Sequence, residues 1–229
     1  MSVLTSDLAD HYRRLNGASV SNAIESFDVR LRNEGFVDGS VRCVFPDLPP
    51  IVGHAVTARI RCSAPPPMGH SYHDRTDWWT FIASVPAPRV VIVQDVDPRP
   101  GLGAFVGNVH AQILQALGSV AYVTNGSVRD VDDVREVGFQ FFAAGIAISH
   151  AFAHLLDFGQ PVEIGGLTVS TGDVLFGDNS GLLSVPPQLL AQIPAAVDRL
   201  HTKEAQVIAF CRSPHFSIDG LRTLVRKLG

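Results

Sequence analysis

Lysine is scarce in this chain of 229 residues. Only two of the 18 basic residues are lysines, Lys203 and Lys227, and both lie in the C-terminal part of the sequence. Schiff-base and pyridoxal chemistry require a desolvated lysine in a pocket, whereas each of these lysines sits in a polar or terminal helical stretch. The sequence therefore disfavours lysine-based carbonyl chemistry, and a metal ion would be the better electrophile for a carbonyl substrate.

Cysteine is also scarce, and the patterns of several large protein classes are missing. Cys43, Cys62 and Cys211 are odd in number and far apart, so they predict neither a disulfide framework nor a CxxC metal site. No apolar run approaches the ~18 residues of a membrane span, and the N-terminus lacks the pattern of a secretory signal. The motifs GxSxG, Walker A and HExxH are absent, so the corresponding hydrolases and NTPases receive no support.

Charge is low and balanced. Charged residues make up 17% of the chain and the formal net charge is −4, so no overall field attracts nucleic acid or an anionic membrane. We predict a cytoplasmic protein with neither kind of partner. The 46% apolar content and the length predict a single globular domain over residues 1–229, with N-terminal helices in 4–33 and a helical tail over 187–229.

The middle of the chain predicts an α/β fold. Residues 89–96 form an almost continuous apolar run, which is typical of a strand covered on both faces. A helical stripe from Val106 to Leu117 follows and ends at Gly118, and residues 119–124 read as the next strand before a turn at 125–126. This is a βαβ unit with a right-handed crossover. Flanking patterns predict helices at 4–15, 20–27, 77–85, 131–137, 187–200 (kinked or split at Pro194) and 218–228. They predict strands at 54–62, 139–143, 162–164, 167–170, 173–176 and 182–185.

The βαβ unit predicts where a ligand would bind. In open α/β sheets ligands lie beyond the carboxyl ends of the parallel strands, and here residues 101–110 and 125–130 reach that edge. The first segment offers backbone N–H groups at a helix N-terminus. The second offers Arg129, which can hold a carboxylate with two hydrogen bonds, and Asp130, which could bind a hard divalent cation. Spacing alone leaves open that Arg129 and Asp130 form only a surface ion pair or a helix cap.

Several motifs in order resemble the RraA-like family, which includes divalent-metal 4-hydroxy-4-methyl-2-oxoglutarate aldolases. That family's signature is an acidic residue, twenty further residues and then Arg-Asp; here Asn108 is followed by twenty residues and Arg129-Asp130. Residues 52–57 (VGHAVT) resemble the family's G-x-A-V-T strand, and residues 126–130 (GSVRD) match its G-x-V-R-D turn. The run from Gly165 to Pro186 resembles its closing segment, so the resemblance covers about residues 17–209.

The resemblance implies a fold, a reaction and a set of site residues. The fold would be a compact α-β-β-α sandwich of the swivelling β/β/α type, assembled as a homotrimer or a hexamer. The reaction would be that of a class II, metal-dependent pyruvate aldolase or decarboxylase: a lyase that uses Mg²⁺ or Mn²⁺ to cleave a 4-hydroxy-2-oxo acid by retro-aldol chemistry, or to decarboxylate oxaloacetate to pyruvate. The implied substrate-binding residues are Gly107, Asn108, Val109, His110 and Arg129, and the implied metal ligands are Asp130 and, from a neighbouring subunit, Glu204.

Asn108 departs from the family pattern, since the aldolases carry Asp or Glu there. An amide can hydrogen-bond a metal-bound water but is a far poorer proton acceptor than a carboxylate. The alternative function, also implied by the resemblance, is a non-enzymatic regulator that binds and inhibits a ribonuclease, as some relatives do.

Three other patterns give weaker hypotheses. The glycines at 101, 103 and 107 resemble a dinucleotide fingerprint with a misplaced third glycine. His150, His154 and Asp157 could chelate a metal if the segment were helical, and residues 70–74 hold a second His/Asp cluster in a loop. For each of these, a surface or structural role is the simpler interpretation.

Overall fold

The structure, a computed structural model, describes residues 4–66 and 75–228. The helices are α1 (Ser6–Tyr12), α2 (Gly17–Glu25), α3 (Thr76–Ser84), α4 (Asn108–Ala116), α5 (Val131–Glu136), α6 (Ile193–Cys211) and α7 (Ile218–Leu228). The strands are β1 (Arg42–Cys43), β2 (Ile51–Arg61), β3 (Arg89–Asp95), β4 (Ser119–Val128), β5 (Gln140–Ile146), β6 (His154–Phe158), β7 (Val162–Ile164), β8 (Leu167–Val169), β9 (Val174–Asp178) and β10 (Gly181–Val185).

A mixed sheet organises the fold, and its parallel part lies in the centre. The strand order is β1-β5-β4-β3-β2-β9-β10, with β6 paired to the second half of β2. Strands β2, β3, β4 and β5 are mutually parallel, whereas β1, β6, β9 and β10 pair antiparallel. Strands β7 and β8 form a separate hairpin. The predicted α/β class and the βαβ unit formed by β3, α4 and β4 are confirmed.

Apolar side chains cover both faces of the parallel strands, which explains their continuous apolar sequences. On one face, Val91 and Val93 of β3 belong to the core that contains Trp78 of α3 and Leu114 of α4. On the other face, the alternate residues of β3, Val90 and Ile92, belong to a core that contains the apolar side chains of the β7–β8 hairpin. A third core joins α1, α2 and α6 to β9 and β10. The carboxyl ends of β3 and β4 therefore emerge from a rigid, two-sided core.

Several predicted boundaries need correction. Strand β4 does not end before residues 125–126 but continues to Val128, with a register shift against β5 between Thr124 and Ser127. Residues 26–33 contain turns rather than the predicted helix. The helix predicted from residue 187 begins only at Ile193, because residues 187–192 form turns. Pro194 therefore does not kink a helix but occupies the first turn of α6, where a missing N–H costs nothing. None of the helices in the described part of the chain is long and apolar enough to cross a bilayer.

Candidate active site

Arg129 and Asp130 leave the sheet at the carboxyl end of β4. The pairing of β4 with the β5 side of the sheet continues to Val128, whose carbonyl accepts a hydrogen bond from the N–H of Ala147 (2.9 Å). Asp130 then takes a left-handed backbone conformation, φ +54°, which L-residues rarely adopt but Asp tolerates better than most. Its side chain makes no cap bond to α5, although Asp130 is the residue that precedes that helix. The carboxylate instead turns towards α4.

The N-terminus of α4 meets this carboxylate directly. Asp130 Oδ2 accepts a hydrogen bond from the backbone N–H of Asn108 (3.0 Å), and the carbonyl of Val106 accepts one from the N–H of Arg129 (3.2 Å). Gly107 lies between these two bonds, and a Cβ atom there would be 2.3 Å from Asp130 Oδ2. A side chain at position 107 would therefore displace the side chains of Asp130 and Arg129. The predicted proximity of 101–110 and 125–130 is confirmed at this point.

The charged groups of the site are accessible. Arg129 Nε lies 3.3 Å from Asp130 Oδ2, and the two side chains are 30% and 33% exposed. A pair this exposed contributes little to stability, so both groups can exchange partners at small cost. Oδ1 of Asp130 receives no hydrogen bond from the residues that the structure describes. One free carboxylate oxygen, held in place by the bonds to the other, fits a hard cation that keeps most of its water ligands.

The predicted substrate-binding residues of α4 divide into two groups. Asn108 is half-buried, and its Oδ1 accepts a hydrogen bond from Gln112 Nε2 (2.7 Å). Val109 is 65% exposed. The His110 side chain is instead buried in the core, with its ring 5.4 Å from that of Trp78 and 5.1 Å from that of Phe105. Its imidazole therefore cannot contact a substrate, and only its backbone amide, in the first turn of α4, can take the predicted role.

Glu204 lies on a different part of the molecule. It is an exposed residue of α6, a helix that packs against α2 and α7. Within the described residues no hydrogen bond or ion pair joins Glu204 to Arg129 or Asp130. Its predicted role requires a second subunit and stays a prediction.

The sequence as a whole matches a known family. The RraA-like family model, described as Aldolase/RraA, matches residues 5–183, which include both site segments. This chain belongs to the RraA-like family. The family contains both aldolase-type enzymes and ribonuclease-inhibitor-type proteins, so membership alone does not select an activity.

Two curated relatives of this RraA-like protein match only part of their own length. Protein DlpA of Legionella pneumophila is 24% identical over 128 residues, which are 55% of this chain and 20% of DlpA. A protein of Halalkalibacterium halodurans, named as a candidate 4-hydroxy-4-methyl-2-oxoglutarate aldolase, is 25% identical over 126 residues, which are 55% of this chain and 59% of that protein. The matched region thus spans less than two thirds of either relative.

Solved structures agree on the fold over a longer stretch. A protein of Pseudomonas syringae pv. tomato superposes with a TM-score of 0.73 at 22% identity, covering 97% of this chain and 95% of that one. RraAS2 of Streptomyces coelicolor, described as an unusual member of the RNase ES inhibitor RraA protein family, gives a TM-score of 0.67 at 20% identity, covering 88% and 96%. The predicted RraA-like fold is therefore confirmed.

A second polar cluster of the RraA-like chain lies at the same sheet edge and was missed by sequence reasoning. The ligand atoms of Cys62, Asp95 and Asp97 lie within 4.8 Å of one another, a spacing that could hold a metal ion, and all three residues are buried. The sequence feature that could have identified this cluster is the position of the three residues at or just after the ends of β2 and β3. Their ordinary hydrogen bonds argue for a structural role. Both oxygens of Asp97 are engaged, by the N–H groups of Cys62 and Ser63 (2.7 and 2.8 Å) and by the Ser63 hydroxyl (2.6 Å).

The pKa values of this cluster are shifted in different directions. Burial raises the pKa of the Cys62 thiol to about 12, and the nearby carboxylates add to the effect, so the thiol is protonated when no cation is bound. Burial likewise raises the pKa of Asp95. Burial acts in the same direction on Asp97, but hydrogen bonds from Ser63 and Cys62 outweigh it and the pKa is lowered. The hydrogen bonds of Asp97 to Cys62 and Ser63 make the cluster a set of loop anchors.

The metal hypothesis for His150, His154 and Asp157 fails on structural grounds. The segment with His150 and His154 is not helical; His154 begins β6, and its Nδ1 donates to the carbonyl of Phe152 (2.7 Å). Asp157 forms an ion pair with Arg59 instead. The cluster predicted within residues 70–74 lies outside the described residues.

The dinucleotide hypothesis is also wrong, because the glycines have packing roles. A Cβ at Gly103 would be 2.2 Å from the carbonyl oxygen of His150, and one at Gly101 would be 3.0 Å from Ser127 Oγ. Both glycines let the loop before α4 run against neighbouring backbone. They are not arranged around a phosphate.

Proposed function

We propose that this RraA-like protein is a divalent-metal-dependent lyase that acts on a 2-oxo acid. The observation that carries the proposal is the contact between Asp130, Arg129 and the first turn of α4. That contact places an accessible guanidinium, a carboxylate with one free oxygen and helix N-terminal amides at one point of the sheet edge. These are the groups needed to bind a small anionic substrate beside a cation.

Each group has a distinct task in this proposal. Arg129 would hold the substrate carboxylate with two parallel hydrogen bonds, a geometry that lysine cannot reproduce. The amides of Val109 and His110, at the positive end of the α4 dipole, would face the same negative charge. Asp130 would hold Mg²⁺ or Mn²⁺ through its free oxygen. The bound cation would polarise the 2-keto oxygen.

Asn108 determines which reaction the site performs best. Retro-aldol cleavage requires a base that removes the proton of the 4-hydroxyl group, and an amide is a poor base. Decarboxylation of an oxaloacetate-like substrate needs no such base. We therefore expect oxaloacetate decarboxylation to be the faster of the two reactions.

The surroundings of the site support assembly with further copies of the chain. Apolar side chains are exposed on the segments that border it, namely Leu102, Val109, Ile146, Ile148 and Phe152. A ring-shaped homotrimer, or two such rings in a hexamer, would cover them and bring Glu204 of a neighbouring subunit towards Asp130. The cytoplasmic location predicted above stays a prediction.

The direct test is pyruvate release from oxaloacetate and from 4-hydroxy-4-methyl-2-oxoglutarate. Each substrate is assayed with Mg²⁺, with Mn²⁺ and after treatment with EDTA. Pyruvate release that EDTA abolishes and Mg²⁺ or Mn²⁺ restores is the expected result. Equal rates with EDTA and with metal, or no release above the uncatalysed rate, would contradict the proposal.

The second candidate is a non-enzymatic regulator that inhibits a ribonuclease. The observation that favours it is Asn108 itself, since a regulator needs no proton acceptor, and the solved RraAS2 structure is described as that of an RNase ES inhibitor family member. Inhibition of a ribonuclease E-type enzyme that persists in an Asp130→Asn variant, together with no pyruvate release by the wild type, would favour this function.

A further inference from the structure

The two segments that form the proposed site are also joined deep in the protein, at the end of β3. Asp95 is the last residue of that strand and is 1% exposed. Its Oδ2 accepts the N–H of Gly101 (2.8 Å), and its Oδ1 accepts the N–H of Asp97 (3.0 Å). The carboxylate thus fixes the start of the segment 101–108 that leads to α4.

The other segment is fixed to the same residue by Asn125. Asn125 Oδ1 accepts the backbone N–H of Asp95 (2.7 Å), and Asn125 Nδ2 donates to the Asp95 carbonyl (3.0 Å). The backbone pairing of β3 with β4 ends at Val93 and Thr124, two residues before Asp95 and one residue before Asn125. The side-chain amide therefore replaces the strand partner that the backbone no longer supplies, and it does so where β4 shifts register.

From this buried point a series of contacts leads to the site. Ser127 Oγ donates to the carbonyl of Gly101 (2.9 Å), and Ala104 pairs with Ser127 as in a parallel sheet. The series ends with the bonds from Arg129 to Val106 and from Asn108 to Asp130. The segments 101–108 and 125–130 thus run side by side, with one end anchored in the core and the other at the surface.

We propose that Asp95 and Asn125 are positioning residues that set the register between these two segments, and so the placement of Asp130 against the first turn of α4. The expected effect on metal binding rests on the proposed function, whereas the contacts that set the register do not depend on that function. Shifting one segment by one residue against the other would move the Asn108 amide away from Asp130 Oδ2. The carboxylate that we propose as the metal ligand would then lose its fixed orientation.

Asp97 provides a matched control. It is a second buried carboxylate two residues from Asp95, but its side chain contacts Cys62, Ser63 and Arg61 and neither site segment. Asp95→Asn leaves a single acceptor oxygen for the N–H groups of Gly101 and Asp97, and Asn125→Ala removes both bonds to Asp95. Asp97→Asn disturbs the same buried cluster without touching the series of contacts. Ser127→Ala removes only the bond to the Gly101 carbonyl, and gives a milder variant should the first two fail to fold.

The experiment measures hydrogen exchange of residues 98–110 and 125–131 without metal, and Mn²⁺ affinity by electron paramagnetic resonance. We expect Asp95→Asn and Asn125→Ala to speed exchange in both segments and to weaken Mn²⁺ binding about ten-fold or more, as loss of outer-shell partners does elsewhere. Ser127→Ala should act in the same direction to a smaller extent, and Asp97→Asn should leave both quantities near their wild-type values.

The outcomes separate this inference from the proposed function. Wild-type exchange in the Asp95, Asn125 and Ser127 variants, or equal changes in Asp97→Asn, would overturn the positioning role. Absence of Mn²⁺ binding by the wild type would instead contradict the proposed function, and the exchange data would still decide whether Asp95 and Asn125 set the register.

Discussion

Asp130 holds a backbone conformation that costs energy, and its surroundings indicate what that conformation achieves. A left-handed residue other than glycine persists only where its neighbours determine it, and here Asn108 and Gly107 meet its carboxylate. The effect is that one oxygen is held while the other faces outwards. A sequence pattern could identify the Arg-Asp pair, but the free oxygen follows from a dihedral angle that no pattern encodes.

The Asp130→Asn variant should abolish metal-dependent pyruvate release. Asn tolerates the left-handed conformation, so the fold should survive, but a neutral amide binds a hard cation poorly. Mn²⁺ binding and the melting temperature are measured together. Asp133→Asn, on the first turn of α5, is the control and should retain Mn²⁺ binding. Full Mg²⁺-stimulated turnover by Asp130→Asn would show that Asp130 is not the metal ligand.

The Arg129→Lys variant should raise KM for oxaloacetate about ten-fold, since losing one charged hydrogen bond costs about 1.5 kcal/mol or more. Arg129→Ala should raise it further, and inhibition by pyruvate should weaken in parallel. Arg135→Lys, whose wild-type side chain forms an exposed ion pair with Asp47, is the control. Unchanged pyruvate inhibition in both Arg129 variants would contradict the assignment.

Asn108→Asp should convert a slow aldolase into a faster one. Correctly placed acid–base groups contribute on the order of 100-fold or more, so the retro-aldol rate should rise much more than the decarboxylation rate. Both rates are measured on the same preparations. A retro-aldol rate that does not rise in Asn108→Asp, or a wild-type retro-aldol rate that already equals its decarboxylation rate, would show that this position does not handle the proton.

At the scale of elements, the apolar periodicity of the sequence predicted the helices and strands of the βαβ unit. It did not predict where a side-chain hydrogen bond takes the place of backbone pairing. The apolar run of β3 and the stripe of α4 gave those elements to within two residues of the structure. The Asn-Gly pair at 125–126 predicted a turn, yet β4 continues through it because the Asn125 amide bonds to Asp95 across the gap. Residues 125–126 lie in an irregularity of the strand rather than in a turn. An Asn-Gly pair is compatible with both, and the partner that distinguishes them, Asp95, is distant in the sequence.

The meeting of α4 with β4 depends on one glycine. Gly107 has φ −128°, which any residue can adopt, so Gly107→Ala should act only through the contacts of its Cβ with the side chains of Asp130 and Arg129. Overpacking of this kind costs about 1–3 kcal/mol, and separating the segments should also weaken Mn²⁺ binding. Gly39→Ala, where an added Cβ meets nothing within 4 Å, is the control. Unaltered Mn²⁺ binding by Gly107→Ala would mean that this close approach is dispensable.

At the scale of the whole molecule, one chain supplies an incomplete version of the proposed site. Arg129 and Asp130 are together, but Glu204 lies on α6, which packs against α2 and α7. Apolar side chains next to the site remain uncovered, and Ile148 is fully exposed. The family resemblance predicted that Glu204 would act from a neighbouring subunit. The exposed apolar side chains were not predictable from the local sequence pattern, because their exposure depends on how the whole chain folds.

A complementation experiment tests whether sites are shared between subunits. If Asp130 of one chain works with Glu204 of its neighbour, Asp130→Asn and Glu204→Gln chains should each be inactive alone. Random assembly in equal amounts should then restore about a quarter of the sites in a closed ring, because an intact Asp130 meets an intact Glu204 at that frequency. The control mixes Asp130→Asn with Arg129→Ala chains, whose defects lie in the same segment, so no intact site forms. Sedimentation of the mixtures should give a trimer or a hexamer. Activity in the first mixture no greater than in the control, or full activity of Glu204→Gln alone, would show that each chain completes its own site.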